Sequence, residues 1–139
     1  MNKKIIYIVD DDLEDEDLIR EVFRELGYEI NLKFFITAEG LLNELKKNEE
    51  EPFIIISDIN LPRMDGFQLR QKILEHAELS NKTIPFIFWS TTASEAQIKR
   101  AYDLSAHGFF IKGHSYSKMK EQIDEIIKYW TNSLAPHLK

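Results

Sequence analysis

Phe53-Ile54-Ile55-Ile56-Ser57-Asp58 is the stretch that decides the fold. It is a short apolar run without polar alternation, and it ends in a hydroxyl and a carboxylate. A strand that is apolar on both faces is buried on both faces, which is what a parallel sheet covered by helices requires. Working outward, β-type runs recur at Lys4–Val9, Leu32–Ile36, Phe53–Ser57, Ile84–Ser90 and His107–Ile111, and Phe86-Ile87-Phe88-Trp89 is again continuously apolar. Helical stripes separate them. Leu13–Leu26 carries Leu18, Ile19, Val22, Phe23 and Leu26, followed by Gly27 where a C-cap favours glycine. Thr37 is placed to cap a helix over Ala38–Asn48, with Leu41, Leu42 and Leu45 on one face. Gly66–Ala77 presents Phe67, Leu69, Ile73 and Leu74, and Ser94 with Gln97 forms a capping box for Glu95–Leu104. A last helix starts at Ser117 or Ser115, carries Met119, Ile123, Ile126, Ile127 and Trp130, and extends to about Leu134. Strand and helix alternate five times. With right-handed crossovers, this predicts a five-stranded, doubly wound α/β sheet with helices on both faces.

The 139 residues are the size of one domain, expected to span residues 1–139 with a core from about 3 to 127. A hydrophobic share of 43% and an aromatic share of 12% fit a folded globular chain. No apolar run approaches the roughly 20 residues that span a bilayer, and the run after Met1-Asn2-Lys3-Lys4 is too short for a signal-peptide core. A cytoplasmic protein without membrane association is expected. The absence of cysteine agrees with this and removes disulfide, thiolate and Cys-based zinc chemistry. With 24 acids against 18 bases the net charge is −6, which argues against nucleic acid as a partner.

In open α/β sheets, ligands bind beyond the carboxyl ends of the strands. Those ends carry Asp10-Asp11-Asp12, then Ser57-Asp58, Ser90-Thr91-Thr92 and Ile111-Lys112. Taken singly, each has an ordinary use: acids at a helix N-terminus, an Asp opening a turn, hydroxyls capping a loop, a solvated lysine. Together they place carboxylates, a hydroxyl and an ammonium on one rim. Clustered carboxylates repel and call for a hard divalent cation, and oxygen donors without His or Cys suit magnesium or manganese. A carboxylate beside such a cation is a nucleophile for phosphoryl transfer, with the lysine and hydroxyl left to meet the phosphoryl oxygens. His76, His107, His114 and His137 are scattered, and Glu49-Glu50-Glu51 reads as a solvated loop.

These residues resemble the receiver domains of bacterial response regulators, and Asp58-Ile59-Asn60-Leu61-Pro62-Arg63-Met64-Asp65-Gly66 is similar to that family's phosphorylation loop. The resemblance implies the flavodoxin-like strand order 2-1-3-4-5. It further implies Asp58 as phosphoacceptor, with magnesium (or manganese) held by Asp10, Asp11, Asp58 and the Asn60 main-chain carbonyl. Asp12 becomes a cap for the first helix. Ser90 takes the place of the switch hydroxyl, with Thr91 and Thr92 as secondary candidates. Lys112 takes the place of the phosphoryl-contacting lysine and Phe109 that of the switch aromatic, a position where a packing role stands beside the switch role. Where the family usually has Lys-Pro with a cis peptide, this chain has Lys112-Gly113, so the peptide geometry is open.

The function so implied is a stand-alone receiver. It takes a phosphoryl group from a histidine kinase or phosphotransfer protein and signals to a downstream protein by conformational change. It is a signalling protein rather than an enzyme, with slow self-phosphorylation and self-dephosphorylation chemistry. A homodimer through helix 4, strand 5 and helix 5 is left open. The alternative is a receiver-fold interaction module that is not phosphorylated. A phosphohydrolase is disfavoured because Asn60 stands where such enzymes place a second Asp.

Overall fold

The alternation seen in the sequence folds into one parallel sheet in the computed structural model, which describes residues 3–47, 49–76, 78 and 84–133. The strands are β1 (Lys4–Val9), β2 (Ile30–Phe35), β3 (Ile54–Ser57), β4 (Phe86–Ser90) and β5 (Gly108–Ile111). The helices are α1 (Leu13–Leu26), α2 (Ala38–Lys46), α3 (Gly66–Glu75), α4 (Glu95–Asp103) and α5 (Tyr116–Asn132). Strand order is β2-β1-β3-β4-β5, the flavodoxin-like order, with every pairing parallel. The register sets Val9 beside Ser57, Ser57 beside Phe88, and Ser90 beside Ile111. The carboxyl ends of the three central strands and β5 therefore form one edge.

Side-chain alternation along the strands divides the core in two. Tyr7, Val9, Ile55, Phe86 and Phe88 pack with Leu41 and Leu45 of α2, Phe67, Leu69 and Ile73 of α3, and Ala101 of α4. Ile6, Ile8, Ile54, Ile56, Ile87 and Trp89 pack on the other face with Ile19 and Val22 of α1 and Met119, Ile123, Ile126 and Ile127 of α5. Central strands are buried on both faces, which explains their unbroken apolar sequence.

Local chemistry sets most of the helix ends. Asp12 caps α1 by accepting from the Glu14 amide, and Gly27 closes it with φ 70°, a left-handed conformation that glycine adopts without strain. Thr37 and Ser94 cap α2 and α4, the latter with Gln97 in a full capping box. Ser115, rather than Ser117, caps α5.

Several element ends differ from the sequence reading. β2 runs Ile30–Phe35 instead of Leu32–Ile36, because an edge strand paired on one side tolerates Asn31 and Lys33, while Ile36 is exposed. β3, β4 and β5 begin one or two residues later than their apolar runs, and α4 ends at Asp103. Asn48, Ala77 and Leu134, the expected ends of α2, α3 and the last helix, lie outside the described residues, as does His137. Among the described residues no helix is long and apolar enough to cross a membrane.

His107, just before β5, joins two strands: its own amide donates to the Phe86 carbonyl, and its Nδ1 accepts from the Phe86 amide at 3.0 Å. Although much of the residue faces solvent, this nitrogen points inward. Burial, and then the Arg70 guanidinium, hold the imidazole below its usual range. A group with a lowered folded pKa contributes stability that is fully present above its unfolded value of about 6.5 and is lost as pH falls through the folded value. Thermal melts should therefore show wild type losing more stability than His107→Asn between pH 7.5 and 5.5. Asparagine can still accept from Phe86 but does not titrate, and the carboxylates contribute equally to both proteins. Parallel curves would refute the assignment.

Candidate functional site

Four of the five strands, β1, β3, β4 and β5, deliver groups to the rim. At the end of β3, the Asp58 amide is fixed to the Val9 carbonyl, and Ser57 Oγ donates to the Asp58 carbonyl at 2.8 Å. The Asp58 Oδ1 accepts from the Ile59 amide at 2.7 Å and the Asn60 amide at 3.4 Å, while Oδ2 accepts from Lys112 Nζ at 2.9 Å. Behind Asp58, the Gly66 amide donates to the Ile59 carbonyl at 2.8 Å, so the first residue of α3 lies directly on the loop backbone. Asp65 and Gln68 cap that helix with a reciprocal box.

After β1, the Asp10 amide donates to the Phe35 carbonyl, Oδ1 accepts from the Asp12 amide at 3.0 Å, and Oδ2 meets Lys112 Nζ at 2.5 Å. Lys112 follows β5 and is only 6% exposed. Its amide donates to the Ser90 carbonyl at 2.7 Å, and its ammonium reaches Asp15 as well, at 3.0 Å. Asp15 was not singled out in the sequence, where it reads as one of several acids in the first turn of α1.

Asp10, Asp11 and Asp58 each offer a carboxylate oxygen, and these oxygens lie within 4.8 Å of one another. Asp10 and Asp58 are buried and Asp11 is exposed, so the cluster has a dry floor and an open side. Three carboxylates, Asp10, Asp15 and Asp58, share one ammonium, and Asp11 adds a fourth carboxylate beside Asp10 and Asp58. Burial pushes the Asp10 carboxyl up to about 7, against the pull of Lys112. Burial also opposes the charge on Lys112, yet Asp10 and then Asp58 hold the ammonium above its usual range. The surplus negative charge and the all-oxygen donor set fit a hard divalent cation.

Ser90 Oγ is fully buried and has no hydrogen-bond partner among the described residues, whereas Thr91 and Thr92 are exposed. Phe109 is half-buried, its ring 6.1 Å from that of Phe88 in the α2–α4 half of the core. Asn60 is exposed beside Asp58. The Lys112–Gly113 peptide is trans, since no cis bond occurs among the described residues.

A parallel sheet of order β2-β1-β3-β4-β5, here with carboxylates along its carboxyl edge, is the flavodoxin-like architecture of α/β proteins. Residues 6–124 match the response regulator receiver domain family, and the chain belongs to that family. It is 27% identical to a probable methanogenesis regulatory protein, FilR2, of Methanothrix harundinacea, over 91% of this chain and 83% of that one. It is 25% identical to the response regulator Rcp1 of Synechocystis, over 94% of this chain and 91% of that one. The crystal structure of the phosphorylated cyanobacterial phytochrome response regulator RcpA superposes with a TM-score of 0.85 at 24% identity, covering 96% of this chain and 98% of that one.

Proposed function

We propose that the protein is a phosphoacceptor receiver in which Asp58 takes a phosphoryl group from a phosphohistidine. The donor is a histidine kinase or a phosphotransfer protein. An Asp58 oxygen attacks phosphorus, the new O–P bond forms as the P–N bond breaks, and the departing imidazole takes up a proton. Attack by water later returns the carboxylate and inorganic phosphate. The product is an acyl phosphate whose extra charge changes the local contacts, so the chemistry serves signalling rather than turnover.

The buried, unpartnered Ser90 Oγ is the observation that carries this reading. A buried hydroxyl without a partner costs about 1–3 kcal/mol, and it sits on the rim where a phosphoryl oxygen on Asp58 would arrive. Lys112 already bridges Asp58 and Asp10, and it is the group to meet a second phosphoryl oxygen. Asp10, Asp11, Asp58 and the Asn60 carbonyl would hold magnesium, which neutralises phosphoryl charge when bound. Manganese would satisfy the same donors, and a structurally similar response regulator, Rcp1, has a Mn(2+)-bound form. Phe109, packed on Phe88, is the aromatic assigned to the conformational response. Output to a partner protein, or pairing of two copies, would run through the α4–β5–α5 face, where Tyr102 and Tyr129 are exposed.

Incubation with acetyl phosphate and magnesium should add one phosphoryl group to the wild type, seen by intact mass. Asp58→Ala, or wild type in EDTA, should take none. Adduct formation independent of metal, or equal in the variant, would contradict the proposal.

A further inference from the structure

Lys112 sits at the start of a loop, and a buried amide on α5 holds that loop. Gln122 lies on the apolar face of the helix with Met119, Ile123 and Ile126, and it is only 8% exposed. A glutamine at a core position needs partners, and this one has three. Its Oε1 accepts from Trp89 Nε1 and from the Gly113 amide, both at 3.0 Å, and its Nε2 donates to the Ile111 carbonyl at 2.7 Å. Both lone pairs of the side-chain oxygen are used.

The identity of the partners gives the amide its meaning. Ile111 and Gly113 are the residues on either side of Lys112, and Trp89 precedes Ser90. Lys112 Nζ also stands 5.5 Å from the centre of the Trp89 ring. One side chain thus ties together both chain neighbours of the lysine and the strand that carries the unpartnered hydroxyl. Gly113 suits this arrangement, because it offers the amide hydrogen that a proline lacks. A Cβ there would overlap the Lys118 side chain, so the loop is pressed against α5.

We propose that Gln122 is a positioning residue, which clamps the chain around Lys112 so that the ammonium meets an incoming phosphoryl oxygen. The inference rests on Asp58 being the phosphoacceptor. It goes beyond that reading by placing the control of the lysine in α5, part of the face assigned to output. If Gln122 only satisfied Trp89 inside the core, its loss would loosen the site in general. If it acts through Lys112, its loss would spare the cation held by the acids and harm the phosphoryl contact.

The test measures two affinities in the wild type and in Gln122→Met: magnesium alone, and beryllofluoride, a phosphoryl mimic, at saturating magnesium. Misplacing a contact group by about 1 Å can cost on the order of 100-fold, so beryllofluoride binding should weaken by about tenfold or more. Magnesium affinity should stay unchanged. Gln122→Asn, which keeps an amide but is too short to reach all three partners, carries the same comparison if the methionine variant gives no cooperative melt. Equal weakening of both ligands, or of neither, overturns the positioning role and leaves Asp58 as phosphoacceptor. Failure of the wild type to bind beryllofluoride overturns both.

Discussion

Gly66→Ala is expected to cost the protein most of its capacity for phosphorylation, although residue 66 carries no reactive group. A Cβ built at this position overlaps the Asp58 carbonyl oxygen and lies 3.0 Å from Ile59 Cα and 3.1 Å from the Asp58 carbonyl carbon. All three are main-chain atoms, so no rotamer change relieves the clash. Either the N-terminus of α3 withdraws or the backbone bearing Asp58 shifts. Overpacking of this kind costs about 1–3 kcal/mol, occasionally more. A shift of the nucleophile also lowers the rate of phosphorylation, by on the order of 10- to 100-fold for a displacement near 1 Å. Urea denaturation together with the rate of modification by acetyl phosphate would measure both. Unchanged values would mean that α3 does not rest on the Asp58 main chain.

Lys112→Met should show the second large effect, in the metal-free protein. The substitution removes the ammonium that Asp10, Asp15 and Asp58 share and keeps most of the apolar stem. Removing one partner from a buried ion cluster costs about 3–5 kcal/mol when the remaining charges stay charged. Here they have an escape. Asp10 is already pushed up to about 7 by burial, and loss of the lysine raises it further, so protonation relieves the cluster on acidification. Urea denaturation in EDTA should therefore find a large loss at pH 8 and a smaller one at pH 5.5. An equal loss at both pH values would mean that the stem of Lys112, packed by Trp89, matters more than its charge.

Much of this architecture was legible in the chain because it depends on short-range chemistry. Continuous apolar runs marked β3 and β4 as doubly buried, and Gly27, Thr37 and Ser94 stand at the helix ends where their backbone preferences place them. The strand order came from the family resemblance, since nothing in a strand's own composition names its neighbour. The ends of β2 were misplaced because an edge strand mixes Asn31 and Lys33 with apolar residues.

The four groups at the strand ends were found because a parallel sheet brings all its carboxyl ends to one side. Asp15 and Gln122 were not. Asp15 lies in the first turn of α1, where an acid has an ordinary use beside the helix dipole. Its contact with Lys112 joins residues 97 positions apart. Gln122 did leave a signal. It falls on the stripe of Met119, Ile123 and Ile126, and a polar residue inside an apolar stripe implies buried partners. Which partners they are depends on how α5 docks over β4 and β5, which helical periodicity does not encode. Ser90, by contrast, was separated from Thr91 and Thr92 by burial, a property that three adjacent hydroxyl residues do not reveal in sequence.

The most direct test of the account is the position of the acyl phosphate itself. Protein treated with acetyl phosphate and magnesium would be reduced with borohydride, which converts an aspartyl phosphate to homoserine, and then digested and sequenced by mass spectrometry. The account predicts homoserine at position 58 alone, and none in a sample prepared in EDTA. Homoserine at Asp10 or Asp11, or an intact-mass adduct that leaves Asp58 unreduced, would contradict it.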